Sequence, residues 1–309
     1  EIKIKFMKKD KIVIGSRGSK LALIYAEKVK LELEKEFSNK IEIKKILTSG
    51  DKNQKDRLSN LGGKGLFCTK IENELINNEI DIAVHALKDM PSIETKELTT
   101  NFFLKRNSPN EILISKSNIK FEDLKSNSII GTSSYRREFQ LKQKRSDLNY
   151  KLIRGNVDTR IKKLENGEYD AILLSKAGID ALGFNEKISQ EFDVDELIPC
   201  AGQGIIAIQC RDNDNEMKDI LEKINNKESR ILANAEREVL KILEGDCDTA
   251  IGVYAKIENE KINLKTELFS VDGNERYFVN ESVEKESFLS LSKSIGEQLK
   301  SKSKGSYKK

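Results

Sequence analysis

The chain has 309 residues, 55 basic and 51 acidic side chains, a formal net charge of +4 and a hydrophobic fraction of 37%. That length accommodates two or three ordinary domains, and so even a charge balance argues against a generic nucleic-acid binder, which shows a stronger or more segregated basic excess. Four widely spaced cysteines (Cys68, Cys200, Cys210, Cys247) and a single histidine argue against a disulfide framework and against any metal site, and fit a reducing compartment.

No apolar run reaches transmembrane length and none resembles a signal-peptide core, so the expectation is a soluble intracellular protein that does not engage a membrane. The chain opens on Glu1 rather than Met, which leaves a removed plastid-targeting peptide as the alternative to a cytoplasmic location.

Short apolar runs alternate with amphipathic stretches from the start. Ile12 to Gly15 reads as a strand, Leu21 to Phe37 as a helix, Ile41 to Leu47 as a strand, Thr69 to Asn77 as a helix and Ile80 to Val84 as a strand. This βαβ rhythm predicts a parallel, doubly wound sheet covered on both faces. Past Asn107-Ser108-Pro109, a candidate hinge, the rhythm starts again. Ser128 to Gly131 enters a helix near Tyr135, and Tyr150 to Ile153 is a strand before a helix over Thr159 to Glu165. Ala171 to Leu174 is a strand before a helix over Lys176 to Leu182.

Pro199 to Gly204 is a turn-rich break, and the strand after it, Ile205 to Gln209, comes late enough to rejoin the first sheet. From about Asn226 the pattern changes to α+β. A long helix spans Glu228 to Leu243, and strands follow over Ile251 to Ile257, Lys261 to Phe269 and Glu275 to Val279. Val271 to Asn274 supplies turn chemistry, and a last helix over Lys285 to Lys300 runs into a polar tail, Ser301 to Lys309, expected to fray. The expected division is 1–104 with 205–222, then 105–204, then 223–309.

Four clusters bear on chemistry. Gly15-Ser16-Arg17-Gly18-Ser19 sits where a strand hands over to a helix, a place that favours anions and equally describes a tight turn. Gly62-Gly63-Lys64-Gly65 is a glycine loop with one lysine and is not a phosphate-binding Walker loop, because no Ser or Thr follows the lysine. His85 to Pro91 places Lys88 and Asp89 at the carboxyl end of a strand, where ligands of open α/β sheets bind; standing alone it would read as a surface ion pair before a turn. Gly131-Thr132-Ser133-Ser134-Tyr135-Arg136-Arg137 puts two arginines in the first turn of a helix, which opposes the helix dipole unless an anion is present. Arg154-Gly155-Asn156-Val157-Asp158-Thr159-Arg160 repeats the theme, and the two arginine clusters together suggest a pocket for a polyanion.

In combination and in order, Gly62–Phe67, His85–Pro91, Gly131–Arg137, Arg154–Arg160 and Ala201–Gly204 resemble the porphobilinogen deaminase (hydroxymethylbilane synthase) family across nearly the whole chain. The resemblance implies two βα domains of the type-II periplasmic-binding-protein kind, facing across a cleft, and a smaller α+β domain. It implies a transferase that condenses four porphobilinogen molecules head to tail into hydroxymethylbilane, with release of ammonia. It further implies a dipyrromethane cofactor joined by a thioether to Cys247, and Asp89 as the catalytic acid with Lys88 beside it. Arg17, Lys88, Thr132, Ser134, Arg136, Arg137, Arg154 and Arg160 would hold the cofactor. Arg17, Arg154, Arg160 and Gln203 would hold the substrate, and Lys64 would lie in an active-site lid.

The same resemblance implies a monomer whose product passes to uroporphyrinogen-III synthase, with no nucleic-acid partner. The chain departs from the family pattern at Asn60 (usually Lys), Ala181 (often Arg), Asp246 (usually Gly) and Ala250 (usually Pro). A two-lobed solute-binding protein is the alternative on fold alone; the third domain with Cys247, which a simple binder does not need, separates the two.

Overall fold

The computed structural model describes residues 11–38, 40–48, 68–245 and 248–308. Among these the strands are β1 (Lys11–Arg17), β2 (Lys40–Ile46), β3 (Ile82–Ala86), β4 (Leu98–Phe103), β5 (Glu111–Ser115), β6 (Ile129–Gly131), β7 (Asn149–Lys151), β8 (Ala171–Ser175), β9 (Gln190–Phe192), β10 (Ile206–Arg211), β11 (Ile251–Glu258), β12 (Lys261–Phe269) and β13 (Arg276–Glu284). The helices are α1 (Lys20–Glu36), α2 (Thr69–Ile76), α3 (Tyr135–Lys142), α4 (Val157–Glu165), α5 (Lys176–Leu182), α6 (Asn215–Ile224), α7 (Lys227–Leu243) and α8 (Phe288–Ser303).

Two five-stranded sheets share one plan. The first runs β2-β1-β3-β10-β4 and the second β7-β6-β8-β5-β9. In each, four strands share one direction and the fourth in the order runs against its neighbours: β10 in the first sheet and β5 in the second. The sheets are therefore mixed, where the βαβ rhythm predicts parallel ones throughout. The reason is connectivity. β5 and β10 each enter their sheet from the other unit, through the crossings Leu104–Asn110 and Pro199–Ile205, and so arrive from the opposite end.

The helices form where apolar spacing meets a cap. The Ser19 hydroxyl accepts Ala22 N–H at 3.3 Å and starts α1, which buries Tyr25, Ala26, Val29 and Leu33 against Ile12, Ile14 and Ile82 of the first sheet. Ser134 opens α3 in the same way, accepting Arg137 N–H at 3.4 Å. Each fully buried Ile or Leu in such a core contributes about 1.5–3 kcal/mol. The third unit is a β11-β12-β13 meander whose inner face, including Val253, Ile262, Leu264 and Leu268, is covered by Val239 and Leu243 of α7 and Ile295 and Leu299 of α8.

Both crossings are hydrogen-bonded to each other. Asn107 N–H donates to Gly204 O at 2.8 Å. Gly204 has φ +81°, and a Cβ there would stand 2.6 Å from Asn107 O, so this approach requires glycine. The segment after α8 is not frayed. Tyr307 is buried and its hydroxyl donates to Leu243 O at 3.1 Å, which fastens 304–308 to the end of α7.

Candidate active site

The two sheets present matching ends to one another. β1 ends in Gly15-Ser16-Arg17 before α1, and β6 ends at Gly131 before the turn to α3. On the first side a 3-10 turn, Leu87–Asp89, continues β3. Its backbone is tied to the second crossing by Leu87 N–H to Ile205 O at 3.0 Å. Asp89 lies here with 42% of its side chain exposed, and its Oδ2 is 4.0 Å from an Arg17 terminal nitrogen. Lys88 reaches across the cleft, donating to Ser175 Oγ at the end of β8 at 3.1 Å. Tyr25 of α1 stands near both Asp89 and Asp180; burial first, then these two carboxylates, push its phenol up to about 12.

Cations dominate the opposite wall. Arg160 donates through Nε to Gly155 O at 2.8 Å, and Lys163 caps Arg154 O at 3.2 Å. Burial, then the neighbouring charges of Arg137 and Arg154, lower the Arg160 pKa to about 10, while Asp89 pulls it the other way. Burial is the larger cause, and the two neighbouring guanidiniums add to it, so cations crowd together at this end of the second sheet.

The paired arginines of α3 are placed differently from expectation. Glu111, fully buried at the start of β5, accepts Arg136 at 2.6 Å through Oε1 and forms an ion pair with Arg137, whose terminal nitrogen is 2.7 Å from Oε2. Arg136 also donates to Ile198 O at 2.9 Å and is 4% exposed, so its terminal nitrogens belong to the interior and not to the cleft. The anion that the helix dipole demands beside these arginines is thus internal. Burial alone would raise the Glu111 pKa; Arg137 and Arg136 overcome it and hold the carboxyl well down. Arg137 also donates to Leu173 O at 3.1 Å, and its field reaches Arg160.

Gln203 also turns inward: it is fully buried in the second crossing and donates to Pro109 O at 2.7 Å, so it joins the crossings. Thr132 Oγ1 accepts Ser134 N–H at 3.1 Å, and both hydroxyls shape the turn that presents α3. Lys64, Asn60, Asp246 and Cys247 lie outside the described residues. At the other two departures, Ala181 packs on the core of the first sheet and Ala250 packs with Phe139 and Phe269.

Glu111 and Ser175 escape sequence reasoning. Glu111 carries no local signal, since its partners are 25 and 26 positions away by its own numbering against Arg136 and Arg137. Ser175 becomes visible only once β3 and β8 face each other.

The comparisons with known proteins decide the lineage. The porphobilinogen deaminase, dipyromethane cofactor binding domain matches residues 12–219, and the porphobilinogen deaminase, C-terminal domain matches residues 231–301. The chain belongs to the porphobilinogen deaminase family. Porphobilinogen deaminase of Staphylococcus epidermidis is 43% identical over 270 residues, covering 86% of this chain and 88% of that protein. The porphobilinogen deaminase of Geobacillus kaustophilus is 41% identical over 270 residues, covering 86% and 87%. That of Fusobacterium nucleatum is 42% identical over 261 residues, covering 84% and 87%. A putative methionine-binding lipoprotein of Bacillus subtilis shares only 14% identity at a TM-score of 0.45, covering 72% of this chain and 93% of its own. Membership in the porphobilinogen deaminase family does not favour the solute-binding alternative. Among the described residues no helix is long and apolar enough to cross a membrane.

Proposed function

We propose that this chain condenses four porphobilinogen molecules into hydroxymethylbilane, releasing one ammonia per coupling, with Asp89 as the catalytic acid. The observation that carries the reading is the pairing of a half-exposed Asp89 carboxylate, 4.0 Å from Arg17, with a facing wall whose cations outnumber its carboxylates. Family membership supplies the substrate class, and the charge arrangement fits it, because each pyrrole unit carries an acetate and a propionate arm.

The same excess of positive charge fits a dipyrromethane, which bears four carboxylates. In this reading Cys247 anchors it, and when bound it would supply the free pyrrole carbon that takes the first unit, each later unit joining the end of the growing chain. Arg17, Lys88, Arg154 and Arg160 pair with the carboxylate arms, and Arg137 adds its field. Asp89 accepts the pyrrole N–H of the incoming unit and stabilises the positive charge that develops as ammonia departs. Lys88, parked on Ser175 Oγ, is placed to exchange that contact for a substrate carboxylate. Lys64 belongs to a covering loop. The three-part division of the chain, a monomeric state, a cytoplasmic location and transfer of the product to uroporphyrinogen-III synthase complete the proposal.

The test is turnover of porphobilinogen by Asp89→Asn. The variant is expected to fold and keep its cofactor while losing nearly all ammonia release; a wild-type rate would remove Asp89 from the chemistry.

A further inference from the structure

Behind the Asp89 turn runs a row of buried polar side chains that the proposed chemistry leaves unused. Thr95 Oγ1 donates to Glu72 Oε2 at 2.8 Å, and Gln209 Nε2 donates to Glu72 Oε1 at 3.0 Å. Gln209 Oε1 meets His85 Nε2 at 3.3 Å, and His85 Nδ1 meets the Cys68 sulfur at 3.8 Å. The same sulfur lies 3.9 Å from the Asp89 carbonyl oxygen. Glu72, Gln209, His85 and Cys68 are all buried.

Donor and acceptor rules fix the direction of this row. A carboxylate offers no proton, so Gln209 turns its amide NH₂ to Glu72 and its oxygen to His85. That oxygen only accepts, which places the imidazole proton on Nε2. Nδ1 is then a lone pair facing the Cys68 sulfur, whose single S–H lies between this nitrogen and the Asp89 carbonyl oxygen. Gln209 thus passes on the orientation set by Glu72 without passing on its charge. The charged groups facing the ring are Glu72 on α2, Asp89 on the turn and Arg17 on β1. Burial outweighs the two carboxylates and, with Arg17, leaves the ring neutral, its pKa lowered to about 4. A protonated ring would reverse the Cys68 contact, with Nδ1–H donating to the sulfur, and add a cation beside Asp89.

We propose that His85 is a positioning residue for Asp89: fixed as the neutral Nε2–H tautomer between Gln209 and Cys68, it holds the strand end and turn that present the carboxylate. This rests on the reading of Asp89 as the acid.

His85 is the sole histidine of the chain, so nitrogen-15 histidine labelling of the cofactor-loaded protein gives one imidazole spectrum. The Nε2–H tautomer is expected at neutral pH and still at about pH 6, below the usual histidine midpoint; the other tautomer, or an imidazolium at that pH, overturns the proposal. His85→Leu removes both contacts and is expected to lower kcat by about 10²-fold, with cofactor load and KM little changed. His85→Gln, which restores a donor and an acceptor, is expected to recover most of the loss. A wild-type kcat in His85→Leu, or a fall matched by lost cofactor, overturns the proposal.

Should His85→Leu not fold, Cys68→Val replaces the thiol by an apolar side chain of similar size; it is expected to shift the imidazole spectrum and lower kcat, and no change in either overturns the proposal. Asp89→Asn run in parallel separates the two claims. If it keeps its turnover, both fall; if it is inactive while His85→Leu is normal, only the positioning role falls.

Discussion

Arg106 and Glu236 meet at 2.6 Å, on the first crossing and on α7, with 9% and 0% of their side chains exposed. The second Glu236 oxygen accepts Gly202 N–H of the other crossing at 2.6 Å, and the first also accepts Ala255 N–H of β11 at 2.8 Å. One carboxylate therefore ties both crossings to the third unit. Glu236→Ala strands a buried guanidinium and is expected to cost about 3–5 kcal/mol in urea unfolding. A loss under about 1 kcal/mol, the range of an exposed pair, would show that the junction does not depend on it.

Arg136 is expected to act on stability and not on chemistry. Arg136→Ala leaves Ile198 O without its arginine donor and Glu111 with one arginine instead of two. The unfolding midpoint should drop, by the equivalent of about 3 kcal/mol, while turnover per folded molecule is kept. An unchanged midpoint with lost turnover would return Arg136 to the cleft.

Arg160 should show the reverse. Its pKa is lowered to about 10 by burial and by Arg137 and Arg154, so the folded chain bears an unfavourable cation at every pH below that value. Arg160→Met keeps the packing of the stem and removes the charge. In the cofactor-free background Cys247→Ser the midpoint should rise, whereas in the cofactor-loaded protein turnover should fall. A lower midpoint would mean that the charge is compensated within the protein.

The pH dependence of folding follows from His85. Burial lowers its pKa from 6.5 to about 4, so the unfolded chain binds the proton more tightly. Stability is fully present above the unfolded value and is lost as pH falls toward the folded one. About 2 kcal/mol should disappear between pH 7 and pH 5, a range above most carboxylate titrations. His85→Leu should flatten that slope; an unaltered slope would assign the loss to other groups.

The parts of the fold with local periodicity were readable. The amphipathic stretch at α1 and the alternation through β11 and β12 carry their burial patterns in consecutive residues. Three strands were not: β4, β5 and the short β9 flank or follow the hinge-like stretches, and their pairing partners lie far along the chain. Helix α6 was legible in principle, since Asp214 caps it by accepting Met217 N–H at 3.1 Å and Met217, Ile220 and Leu221 line one face. At the candidate site, the family motifs contain Arg17, Asp89 and Arg160, yet motif membership does not say which way a side chain turns. Arg136 and Arg137 are neighbours in one motif, and only the buried Glu111, contributed by β5, decides that Arg136 faces inward.

The central claim is that this cleft builds a pyrrole chain on a cofactor fixed to Cys247, and intact mass with peptide mapping tests it most directly. The account predicts a mass gain equal to two porphobilinogen units less two ammonia, located on the peptide that contains Cys247. A protein that stays unmodified after incubation with porphobilinogen, or that carries the gain elsewhere, would contradict it.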